Sequence, residues 1–149
     1  MGYYDSVEVS ASGLSAERLA MDVIANNIAN ANTTRTPQGG AFKRQLVVFA
    51  QKPGATDPSA DPFDPTQPEK ANVEGVQVLG IQNDNSPDRL VFDPGNPEAD
   101  ARGYVHYPNV QVVKEMVDLM AASRAYQANV AAIQETQAMG TADISILKS

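Results

Sequence analysis

Among side chains able to do chemistry, the sequence offers one histidine, no cysteine and a scatter of carboxylates. His106 sits in GYVHY (103–107), where Tyr104 and Tyr107 provide neither a base nor a ligand partner, so it reads as structural. Asp57, Asp61, Asp64, Asp93, Glu98 and Asp100 carry hard oxygens of the kind calcium takes. None falls in the alternating pattern, with a central glycine and a closing glutamate, that an EF-hand loop needs. DPGNPEADARG (93–103) reads instead as consecutive turns. No glycine-rich phosphate loop or GxSxG elbow occurs. The expectation is therefore no enzyme, no cofactor, no metal and no small-molecule substrate. A carbohydrate-acting enzyme would rest on the acidic loop alone. Amides are more concentrated: ANNIANANTT (25–34) holds Asn26, Asn27, Asn30 and Asn32, each with a donor and an acceptor on a short stem.

The elements that must position these residues separate by composition. Residues 36–107 hold nine of the ten prolines, and Pro108 is the tenth, so the two ends can be helical and the middle cannot. Near the N-terminus Val7, Leu14, Met21 and Ile28 recur every seven residues, with Ser10, Glu17, Ile24 and Ala31 three places after each. That period predicts a helix packed along a seam, stopped by TTRTPQGG. From Val112, a seam steps by alternating fours and threes through Met116, Leu119, Ser123, Tyr126, Val130, Ile133, Gln137, Gly140 and Ile144 to Leu147. Asn109 is a candidate cap for this second helix, and Gly140 a place where it frays or bends.

Between the helices, KRQLVVFAQ (43–51), EGVQVLGIQ (74–82), DRLVFD (88–93) and GYVHY (103–107) are short, β-branched or aromatic, and bounded by turn formers. They predict a small β module. The Pro-rich stretch around 53–70 reads as an extended, solvated loop. The fold class is thus α+β: long N- and C-terminal helices (1–36 and 108–149) in an antiparallel coiled-coil pair, with a β-rich module over 37–107. Leu14, Met21, Ile24 and Ile28 are expected to face Met116, Leu119, Tyr126, Val130 and Ile133 of the same chain. Asn26, Asn27, Asn30, Arg124, Gln127 and Asn129 are expected between subunits, because two thin helices leave much of each stripe uncovered.

Charge narrows the partners. The net charge is -7, with six basic and ten acidic side chains over 36–107, which argues against nucleic acid because phosphates are neutralised by clustered Lys and Arg. The first twenty residues lack the basic and apolar regions of a secretory signal.

SGLSAERLAMDVIANNIANANTTRT (12–36) closely resembles the N-terminal helix of bacterial flagellar rod and hook proteins, whose signature centres on ANNIANANT. GYVHYPNV followed by EMVDLMAASRAYQANV, within residues 93–139, is similar to the C-terminal half of the proximal-rod members of that axial family. The resemblance implies a structural subunit of the basal-body rod, with both helices in an inner tube and the β module outside. It implies assembly with other rod proteins and further copies of itself, and export unfolded through the flagellar type III apparatus without a cleaved signal. Torque would then pass along a periplasm-spanning drive shaft. A monomeric coiled-coil adaptor or export cofactor is the alternative from another class.

Overall fold

A computed structural model describes residues 3–52 and 75–147. The expected Pro-rich loop over 53–70, with Asp57, Asp61 and Asp64, lies outside the described residues. Helix α1 spans Tyr3–Ala29, strands β1 and β2 span Gln45–Gln51 and Val76–Asn83, strands β3 and β4 span Arg89–Phe92 and Tyr104–Tyr107, and helix α2 spans Val112–Leu147. The chain is α+β, with a helix at each end and the strands between them.

The end of α1 is built by its asparagines. The Asn30 N–H donates to the Asn26 carbonyl at 3.1 Å, the Ala31 N–H to the Ile28 carbonyl at 3.2 Å, and the Asn30 side-chain amide returns to the Asn26 carbonyl at 2.9 Å. The last turn tightens, and carbonyls that would otherwise lack partners are satisfied. The chain then reverses through Thr36–Gly40, where Gly39 (φ 88) and Gly40 (φ 74) supply the left-handed backbone that other residues resist. At α2 the Glu115 N–H donates to the Gln111 carbonyl at 3.0 Å, which makes Gln111 the cap residue and not Asn109. The helix continues through Gly140 without the expected break.

The helices pack side by side. Gly13 lies against Asn129, and Asn27 bonds Glu115, so numbers rise along one helix as they fall along the other: the pair is antiparallel. Counting from those two contacts sets Ala16 level with Tyr126, Ala20 with Ala122 and Val23 with Leu119. Ala16, Ala20, Val23 and Ala122 are all buried. Gly13 and Ala16 on α1 thus meet the larger Asn129 and Tyr126 on α2, Ala20 meets Ala122, and the small residues let the backbones approach closely.

Strands β1 and β2 pair antiparallel, from Gln45 opposite Asn83 to Gln51 opposite Val76. A register shift between Val48 and Phe49 leaves Leu79 without a partner across the ladder, a bulge that turns its side chain into solvent. Strands β3 and β4 form a second antiparallel pair, Arg89 opposite Tyr107 to Phe92 opposite Tyr104. Val105 is buried beneath it, while Phe92 and Tyr104 meet edge to face on the outer side.

Candidate functional site

The α1, β1 and α2 elements converge on a buried polar junction. Asn27 and Glu115 are both 0% exposed. The Asn27 side-chain amide donates to the Gln45 carbonyl at 2.8 Å and to Glu115 Oε2 at 3.0 Å, while its Oδ1 accepts the Gln45 N–H at 2.9 Å. An α1 side chain therefore pairs with the first residue of β1 as a neighbouring strand would. Asn26 adds a 3.1 Å bond to the Gln45 side chain.

Arg44 supplies the charge. Its Nε donates to Glu115 Oε1 at 2.5 Å, one terminal nitrogen to Asp118 Oδ2 at 3.3 Å, and the other lies 3.8 Å from Asp84 Oδ2. One guanidinium thus faces three carboxylates. Glu115 has both oxygens engaged, so a carboxylate withdrawn from water is compensated on each side, which its burial requires. Asn109 closes the ring: its Oδ1 accepts the Arg44 N–H at 2.8 Å, and its amide donates to the Asp84 and Ser86 carbonyls at 3.0 and 3.3 Å. Among the described residues, no buried side-chain polar atom is left without a partner. The Ser86 hydroxyl and N–H hold the Asp84 carboxyl below the usual carboxylate range, with smaller help from Arg44 and Lys114 against partial desolvation.

Two further ties dock the strands. The Ser12 hydroxyl donates to the Val9 carbonyl at 2.6 Å and accepts the Val76 N–H at 3.0 Å, which brings the start of β2 onto α1. Gly75 (φ 98) permits this approach, since a Cβ there would lie 2.2 Å from the Ser12 oxygen. Asp88 takes Lys43 at 2.5 Å and lies 3.5 Å from His106, linking the entry to β1 with the β3–β4 pair. His106 thus gains a partner the local sequence did not suggest. None of these groups is arranged as a nucleophile with a base. Among the described residues, no group of three or more His, Cys, Asp or Glu could hold a metal ion.

The expected seam is displaced by one residue at alternate steps of α2. Glu115, Ala122 and Asn129 turn toward α1, whereas Met116, placed in the seam from sequence, is 51% exposed. Leu119, Tyr126 and Ile133 belong to both patterns and are half-buried, as are Val130, Leu14, Met21, Ile24 and Ile28. The reason is physical: α2 carries two adjoining stripes of the same period, and Gly13, Ala16 and Ala20 select the one with smaller and polar members. Asn27, expected between subunits, is consumed inside the chain, and Asn129 lies on Gly13 of its own α1. Asn26, Arg124 and Gln127 are exposed and Asn30 is half-buried. Arg44, Glu115 and Asn109 were not anticipated in these roles. The one signal was Glu115 itself, an acidic residue in the first turn of α2 between Lys114 and Met116.

Comparison with known proteins adds to this geometry. A model described as "Flagella basal body rod protein" matches residues 8–35, and one described as "Flagellar basal body rod FlgEFG protein C-terminal" matches residues 101–143. The chain is 43% identical to the flagellar basal-body rod protein FlgC of Borreliella burgdorferi, with 99% of each chain covered. It is 40% identical to the FlgC proteins of Yersinia enterocolitica (93% of each chain) and Bacillus subtilis (93% of this chain and 94% of the relative).

Proposed function

The chain belongs to the FlgC family of flagellar basal-body rod proteins, so it is a structural rod protein and not an enzyme, and we propose that it polymerises helically in the proximal rod. In this reading it joins other rod proteins and further copies of itself in the drive shaft that carries motor torque across the periplasm. The observation that carries the proposal is the helix pair. Its seam is thin, made largely of small apolar residues with polar ones toward its ends, and both helices keep exposed residues on the side away from it. The terminal helices act as a coiled-coil pair in an inner tube, with the strands outside and the Arg44 junction transmitting load between them. Head-to-tail contacts whose rotation does not close generate such open assemblies.

Asn26, Asn30, Arg124 and Gln127 are proposed to contact neighbouring subunits. Passage through the flagellar type III export apparatus fits a chain without cysteine, which forms no disulfide on the way. The test is to express an epitope-tagged copy as the sole source of the protein and isolate basal bodies. The tag should appear in the rod, and cells lacking the gene should assemble no distal rod or filament. Its absence from basal bodies that are otherwise complete would overturn the proposal.

A further inference from the structure

Val113, Met116, Val117 and Met120 lie on one stripe of α2, all more than half exposed, Val113 at 77%. Their spacing of three and four residues sets them on one helical face, away from the Glu115–Leu119–Ala122 side that meets α1. An apolar face of this kind marks an interaction surface. The outward face of α1 has the opposite character: Ala11, Ser15, Ala25 and Ala29 are exposed, with Arg18 and Asp22 among them. Each face lies across its own helix from the shared seam, so the two occupy opposite flanks of the pair. One flank projects large side chains and the other offers small ones. Inside the chain the same rule already operates at one end of the seam, with Gly13 and Ala16 level with Asn129 and Tyr126.

We propose that the Met116–Met120 part of this stripe docks against the C-terminal end of α1 of a second copy of this chain, antiparallel, with Arg124 opposite Asp22 and Val113 level with Thr33 just beyond that helix. The proposal rests on the rod reading and names the partner of its helical surface. Copies set side by side in one orientation bring α2 of one against α1 of the next, and that arrangement is antiparallel because the helices within each copy are. Charge complementarity chooses the register. With Arg124 facing Asp22, Met120 falls beside Ala25 and Asn26, and Val117 falls on Ala29. Sliding one helical turn toward the intrachain register would set Arg124 against Arg18. The contact is head-to-tail and does not consume either flank's opposite face, so it repeats along an open array.

The chain has no cysteine, which makes disulfide trapping clean. Val117→Cys with Ala29→Cys, oxidised in isolated basal bodies, should give a ladder of multimers of this chain, and each single variant only monomer. The two positions lie on opposite flanks, so they do not join within one copy. Asp22→Arg or Arg124→Asp alone should lower incorporation into rods on the order of tenfold, by setting like charges together, and the double reversal should restore it. Both residues are exposed in the single chain, so folding is preserved in each variant. A cross-link to a different rod protein in place of the ladder, or charge reversals without effect, would overturn the self-docking while leaving rod membership intact. Absence of the unmodified chain from basal bodies would instead remove the reading on which it rests.

Discussion

Asn27 and Glu115, 88 residues apart in sequence, meet through a 3.0 Å hydrogen bond at which neither side chain is exposed. That bond joins the end of the first helix to the start of the last. Asn27 also completes a strand-like pair with Gln45, so one amide fixes three elements. Asn27→Leu keeps the branched shape, adds bulk and removes every bond, leaving the part-buried Gln45 backbone and one buried Glu115 oxygen without these partners. The expected loss of stability is about 3 kcal/mol by urea unfolding, more than a lost net hydrogen bond because the abandoned groups keep their desolvation cost. Asn27→Asp should be at least as damaging, since it sets a second carboxylate against Glu115.

Arg44→Met should be more damaging than any exposed charge change, about 3–5 kcal/mol, because it strands the buried Glu115 carboxylate. Arg44→Met with Glu115→Leu should recover most of that loss. A double-mutant cycle in chemical denaturation measures the coupling. Additive losses would mean that the pair does not act as a unit.

Gly75→Ala meets two obstacles, a positive φ and an added carbon 2.2 Å from the Ser12 oxygen. The expected cost is about 2–3 kcal/mol. Adding Ser12→Ala should relieve it only in part, since the backbone strain remains. Gly95→Ala, where the added carbon would have only an ordinary contact with Asp93, is the matched control and should change stability by less than about 0.5 kcal/mol.

Acid should loosen the strands' attachment. Asp84 is held below the usual carboxylate range by Ser86, and Asp100 chiefly by the Tyr104 N–H. A depressed native pKa contributes stability that is fully present above the unfolded value of 3.8 and is lost as pH falls through the native one. Asp84→Asn and Asp100→Asn should each flatten the acid limb of the stability profile and leave the neutral plateau's pH independence unchanged. NMR titration of the two carboxyls should give midpoints below the ordinary aspartate value of 3.8.

The helices and the four strand positions were legible because proline distribution and local period are properties of short windows. The seam was half legible. Leu119, Tyr126 and Ile133 lie on both candidate stripes, but choosing between Glu115 and Met116 needed knowledge that Gly13, Ala16 and Ala20 stood opposite. Apolar periodicity favours Met116, whereas close approach and the Arg44 charge place Glu115 inside. The junction was not legible, since Arg44, Asp84 and Glu115 come together only when the strands reverse and lie along α1. Asn27 was recognised as a packing residue, but its partner lies within the chain, because the amide that seemed suited to a neighbour is used by Gln45 and Glu115 first.

A density map of an intact basal body containing this chain, at a resolution that shows side chains, bears most directly on its role in the rod. Paired α1 and α2 are expected in the rod wall, with the Asn27–Glu115–Arg44 junction closed and Met116 and Met120 seated on α1 of a neighbouring copy. A rod without this chain, or one in which those methionines face solvent along its length, would contradict it.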